Sequence, residues 1–231
     1  MGGRGSWSAS HGGVRQSAGG GGSLYISGKT ETRKDIRQLF INELGFKELY
    51  GTNTVGTAQL AALGIQLKKL EKQDHVLANN NVYLSVTKKK GVKGAALLAK
   101  DGSMVLFINP DSHNSVSKYR KTLKREQASG HKTATDGKIT NDFSYTARHE
   151  FGHLVQFDRI KAGKKADSMR NEIRSISRKN YSDGTKNPSR YGSENMYEFF
   201  AEGYASLTGG NPSALGKATG DWLRKNGRRK Q

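Results

Sequence analysis

The sequence predicts an α+β domain, and three observations carry that prediction. Apolar residues recur at helical spacing in two stretches before residue 75, switch to a period of two between 82 and 109, and return to helical spacing from about residue 142. Asp101-Gly102, a hairpin signal, lies within the period-two region. The expected architecture is a small, mostly antiparallel sheet of at least three strands, set between helices.

Residues 1 to about 23 form a Gly/Ser-rich leader containing the run Gly19-Gly20-Gly21-Gly22. It has too little apolar surface to offset its ordering entropy, so a flexible tail is expected. Met1-Gly2-Gly3-Arg4-Gly5-Ser6 also fits the loose N-myristoylation pattern. The rest reads as one domain over 24–226, with ordered structure from about Thr30, and a basic tail over 227–231.

Ile36, Leu39, Phe40 and Leu44 repeat at helical spacing and end at Gly45, a good C-terminal stop. Leu60, Leu63, Leu67 and Leu70 mark a second helix that fades into Asn79-Asn80-Asn81. Val82, Leu84 and Val86 then alternate with polar residues, and the runs 95–100 and 103–109 flank Asp101-Gly102, with Pro110 closing the sheet. The segment 104–109 is the candidate edge strand, where a main chain could pair. Residues 112–140 are polar and basic, with a short helix expected over 116–125. A long helix should start near Asn141 or Asp142 and run to about Lys161, with Phe143, Ala147, Phe151, Leu154 and Val155 as its apolar contacts. Gly152 in its interior costs roughly 1 kcal/mol of helix propensity relative to Ala, which implies that something approaches closely there. Ala166, Met169, Ile173 and Ile176 mark another helix; the C-terminal one presents Leu215, Trp222 and Leu223 to the core.

Composition narrows the chemistry. With 231 residues the chain can bury one good core, and with no Cys any metal site must use His, carboxylates and water. No apolar run approaches the roughly 18 residues that span a bilayer, and no secretory h-region is visible, so a soluble protein made in the cytoplasm is expected. The net charge of +19 invites a nucleic-acid or anionic-surface partner. Its Lys and Arg are scattered over 88–90, 118–125 and 224–230, with no nucleic-acid motif, so a solvated basic surface is the plainer reading. His11, His75, His113 and His131 lack a ligand partner at useful spacing and read as surface residues.

The long helix carries His149-Glu150-Phe151-Gly152-His153, the pattern H-E-x-x-H. Residues four apart share a helical face, so both imidazoles can turn toward one cation, while Glu150 stands one step round, placed to hold a water. A catalytic zinc takes three protein ligands, and no His follows His153, so a carboxylate must complete the set. Asp158, Asp167 and Glu172 are possible. Glu198 and Glu202, four apart in an aromatic, Ala-containing helix, look buried and therefore need partners. This favours Glu198 as third ligand and Glu202 as an acceptor behind a ligand His.

Tyr191-Gly192, Asn195 and Glu198-Phe199-Phe200-Ala201-Glu202, following the H-E-x-x-H helix, resemble the catalytic domain of the anthrax lethal factor family of gluzincins. Glu198 follows His153 by 45 residues, an interval that also matches. The resemblance covers about 60 residues, and similar short domains occur in phage and prophage proteins. It implies a zincin-like metallopeptidase fold and a zinc-dependent endopeptidase acting on protein or peptide, in a toxin-like or phage-encoded setting, virion-associated or delivered to a host cell. By position, His149, His153 and Glu198 would hold Zn2+, Glu150 would be the general base, and Tyr191 would stabilise the transition state. Read from its neighbours alone, Tyr191 is a loop aromatic. Asn195 either braces the site or caps the helix. The alternative is a basic nucleic-acid-associated or virion structural protein with a structural or vestigial metal site.

Overall fold

In the computed structural model of the chain, the described residues are 32–86, 92–109, 116–130, 142–181, 189–210 and 212–227. The leader with its myristoylation pattern, His11, His113, His131, Pro110, Asn141, the basic run 88–90 and most of the basic tail lie outside them.

Helix α1 (Arg33–Gln38) starts at a reciprocal cap: Asp35 N donates to Thr32 Oγ1 at 3.2 Å, and Thr32 N donates to Asp35 Oδ2 at 2.8 Å. The chain continues through a π-helical turn, Leu39–Glu43, and stops at Gly45, whose φ of +81° suits a residue without a Cβ. Strand β1 (Glu48–Tyr50) follows, an element the periodicity does not announce. Helix α2 (Thr57–Asp74) buries Leu60, Leu63, Leu67 and Leu70 and ends at His75, exposed and left-handed at φ 51°.

Strands β2 (Val82–Val86), β3 (Gly94–Leu98) and β4 (Met104–Ile108) complete a four-stranded sheet in the order β1-β2-β4-β3. β3 and β4 form the expected hairpin, Leu98 opposite Met104. Its connection is one residue longer than the two-residue turn expected. Gly102 N donates to Ala99 O at 3.0 Å, Ala99 N donates to Ser103 O at 2.8 Å, and Gly102 is left-handed at φ +79°. That is a type I turn closed by a glycine bulge.

The sheet departs from the mostly antiparallel arrangement expected. β1 with β2 and β2 with β4 are parallel, and only β3 with β4 is antiparallel. The reason is connectivity: β1 reaches β2 through α2, and β2 reaches β4 past the hairpin partner, so both pairings are crossovers. The edge assignment moves too. β4 is paired on both sides; the edges are β1 and β3, and β3 is the edge that packs on α4.

Among the described residues six helices follow: α3 (Val116–Ala128), α4 (Asp142–Lys161), α5 (Ala166–Asn180), α6 (Arg190–Glu194), α7 (Met196–Leu207) and α8 (Ala214–Lys225). The result is a mixed α/β fold with a small sheet and mostly helices. One sheet face, Val82, Leu84, Met104, Leu106 and Ile108, shares a continuous core with Ala147, Phe151, Leu154 and Val155 of α4 and with Phe199, Phe200 and Tyr204 of α7. Each large apolar side chain so buried contributes about 1.5–3 kcal/mol, which fixes α4 between sheet and α7. Trp222 seals the far side of α7, edge-on to Phe200 at 5.8 Å, its Nε1 donating to Glu172 at 2.9 Å. Among the described residues no helix is long and apolar enough to cross a membrane.

Candidate metal centre

Tyr145, His149 and His153 repeat every four residues along α4, so they form one stripe of a buried helix. The two imidazoles stand edge to face with centroids 5.0 Å apart. Gly152, on another side of the same turn, is where α7 closes in. A Cβ there would lie 3.0 Å from Tyr204 Cβ and 3.1 Å from Ala201 Cα, so the expected close approach is a helix crossing. α7 itself starts at Asn195, an extended residue whose Oδ1 accepts from Tyr197 N at 2.8 Å and Glu198 N at 3.0 Å. Asn195 is thus the cap of the two alternatives.

The crossing delivers Glu198 to the histidines. Glu198 Oε2 lies 2.9 Å from His149 Nε2, and Oε1 lies 3.6 Å from His153 Nε2. One potential ligand atom from each of the three falls within 4.8 Å of the others. The other carboxylates considered lie elsewhere. Asp158 accepts from Asn80 at 2.8 Å, Asp167 faces Arg170 at 3.7 Å, and Glu172 serves Trp222.

One turn beyond Glu198, the fully buried Glu202 sits behind His149. Its Oε1 is 3.0 Å from His149 Nδ1 and accepts from Tyr145 OH at 2.5 Å, while Oε2 accepts from Ser189 Oγ at 2.7 Å. Ser189 also caps α6, accepting from Gly192 N at 2.9 Å. Gly192 has little room for a Cβ, which would stand 3.2 Å from Glu202 Cγ.

The electrostatics call for a cation at this point. Burial lowers the proton affinity of His149, but hydrogen bonds to Glu198 and Glu202 and the charge of Glu150 outweigh it and raise the pKa to about 9. Burial raises Glu198, and the two imidazoles beside it pull it down to about 2. If the Nδ1 proton of His149 points to Glu202, Nε2 turns a lone pair toward a carboxylate oxygen, and two acceptors at 2.9 Å need a positive charge between them. Either a proton or a metal ion meets that need. Two imidazole nitrogens and a carboxylate oxygen form a donor set that suits Zn2+, so the residues fit the ion.

Glu150 and Tyr191 border this cluster. Gly94, the first residue of edge strand β3, packs on Glu150: a Cβ there would come within 2.8 Å of Glu150 Cγ and Thr146 Cγ2 and within 3.0 Å of Glu150 Oε1. Tyr191, on α6, has its ring centroid 5.4 Å from that of His149. Burial, then Glu198 and Glu150, push its phenol above the ordinary tyrosine range, so it stays a proton donor.

His149, Glu150, His153, Tyr191, Glu198 and Glu202, the residues the sequence favoured for the site, thus gather at one place. Three others there were not singled out. Tyr145 could have been found by following the His face back one turn; Ser189 and Gly94 carry no local signal.

No protein-family model matches the sequence, and no curated protein matches it. Among solved structures, that of a candidate zinc-binding metallo-peptidase from Bacteroides caccae is similar with a TM-score of 0.32 and 13% identity, covering 86% of this chain and 80% of that one. A likeness that loose carries no argument about function. What this chain's own side chains establish is narrower: the His149, His153 and Glu198 cluster fits a zincin-like metal site.

Proposed function

We propose that the chain is a zinc-dependent endopeptidase of the gluzincin type. The observation that carries the reading is the convergence of His149, His153 and Glu198 from two segments far apart in sequence, with Glu202 behind His149. Zn2+ held by those three would supply Lewis acidity, making water a nucleophile near neutral pH and polarising a scissile carbonyl.

The chain's own residues do the rest. Glu150 takes the proton of the attacking water and passes it to the leaving amine. Tyr191, kept protonated by its surroundings, donates a hydrogen bond to the developing oxyanion. Glu202 accepts the Nδ1 proton of His149, so that Nε2 keeps its lone pair for the metal, and Tyr145 and Ser189 hold Glu202 in place. An extended peptide would add to edge strand β3, whose Gly94 brings that edge against Glu150. The motif helix and the Glu helix are what supports placing the chain among the lethal-factor-like gluzincins.

The test pairs metal content with cleavage. Purified protein should carry near-stoichiometric zinc. Glu150→Gln should retain it while peptide cleavage falls about 10^2–10^4-fold. New protein N-termini appearing in a lysate treated with wild type but not with Glu150→Gln would identify substrates; equal cleavage by both proteins would remove Glu150 from its role.

A further inference from the structure

A second feature lies outside the candidate metal centre. Arg170, Arg174 and Arg178 recur every four residues on α5, so they line one face with successive side chains about 6 Å apart along the axis. Like charges at that spacing repel, and among the described residues no acid on this face offsets them fully. Arg170 reaches Asp167 only at 3.7 Å, and Asp167 is itself exposed. Glu172, on the same helix, is turned to Trp222.

The face is also shaped. A shallow, open depression lies on it, lined by Asn171, Arg174, Ser175, Arg178 and Lys179, and none of these is acidic. Arg174 is held in place by the ring of Phe199, its Cζ 5.2 Å from the centroid. Burial, then the charges of Arg170 and Arg178, lower its pKa. Among the described residues, Arg170 Nε is buried without a hydrogen-bond partner. The face is therefore a row of crowded guanidiniums with side-chain amide and hydroxyl groups between them, on a chain of net charge +19.

We propose that this face of α5 binds the phosphodiester backbone of a nucleic-acid strand, with Arg170, Arg174 and Arg178 each meeting one phosphate. A strand carries regularly repeated single charges along a line, and guanidinium pairs with phosphate in a two-pronged geometry. The axial interval of the arginines is comparable to the separation of neighbouring phosphates on one strand. The site recognises backbone, with Asn171 and Ser175 as further hydrogen-bonding groups, and it stands independently of the peptidase reading.

The experiment measures anisotropy of a fluorescein-labelled oligothymidylate with the full chain between about 50 and 200 mM salt. Wild type should bind, with affinity falling steeply as salt rises. The Arg170→Gln, Arg174→Gln, Arg178→Gln triple variant should bind about tenfold or more weakly, with a log-log salt slope shallower by about 2. A control removing three charges elsewhere, Lys69→Gln, Lys72→Gln and Lys225→Gln, should leave both quantities near wild type. Equal losses in the two triple variants would reduce the effect to bulk charge and overturn the site. So would absence of wild-type binding at the lowest salt, or poly-glutamate displacing the oligonucleotide as well, charge for charge, as unlabelled oligothymidylate. Arg178 is exposed, so Arg178→Glu provides the same test without disturbing Phe199 packing. It should weaken binding severalfold, and unchanged affinity would overturn the proposal.

Discussion

Two clusters of buried and half-buried acids sit toward opposite ends of α4, and they have opposite characters. Toward the N-terminal end, Glu198 and Glu202 face two imidazoles. Toward the C-terminal end, Asp158 accepts from Asn80 and Arg159, Asp74 accepts from Tyr204 OH at 2.5 Å, and Glu71 accepts from Leu77 N at 2.8 Å and Ala78 N at 3.0 Å. Both ends even use a tyrosine hydroxyl on a carboxylate across the α4 and α7 region. The C-terminal acids are met by permanent donors: an arginine, an amide, a phenol and backbone N–H groups. The N-terminal ones are met by imidazoles, which can donate or accept, and three ligand atoms are left facing one another. Buried carboxylates alone do not make a metal site; what matters is whether the chain supplies its own positive charge and protons to all of them.

That contrast can be broken by substitution. Glu198→Ala should abolish stoichiometric zinc and, by removing the partner of the protonated His149, also lower the thermal midpoint of the metal-free protein at neutral pH. Full zinc content in that variant would show that the carboxylate is not a ligand. Asp158→Ala should differ in metal content: it costs about 3 kcal/mol of stability by removing the acid beside the buried Arg159, with zinc content intact. Denaturant unfolding beside metal analysis separates the two ends, and a loss of zinc in Asp158→Ala would merge them. Glu202→Gln, which keeps the size but weakens the acceptor behind His149, should lower zinc affinity by about 10–100-fold, measured by competition with a chromophoric chelator.

The contrast also has a pH dependence. In the metal-free protein His149 holds a proton up to about pH 9, and a metal needs that lone pair. Apparent zinc affinity should therefore rise by about tenfold per pH unit through neutrality and level off near that value, each binding event releasing a proton. Affinity flat between pH 6 and 8 would show that His149 is neutral before metal arrives. Acid should act oppositely on the two ends. Glu198 is held low, so its ion pairing contributes stability above its unfolded pKa, and this is lost as pH falls toward about 2. Burial raises Glu71 and Asp74, so their protonation on acidification favours the fold.

Much of the site was legible because it is local. The face shared by His149 and His153 follows from helix geometry alone, and the low helix propensity of Gly152 signalled the contact with Ala201 and Tyr204. Glu198 and Glu202 were found by asking which carboxylates an apolar helix would bury. The pairing of β2 with β4, the short strand β1 and the exchange of β4 for β3 at the edge were not legible. Alternation along a strand says which residues share a face, and nothing about which strand lies beside it.

The sequence by itself thus determined the elements and the donor types: a helix with two imidazoles on one side, a second helix with two acids, and no thiolate to compete. Tertiary structure alone decided which acid meets which ring, that Tyr145 and Ser189 secure Glu202, and that Gly94 brings a strand edge against Glu150. The physical reason is range. Periodicity and capping act within a few residues, whereas a coordination site is set by how closely separate segments pack, and that depends on the whole core.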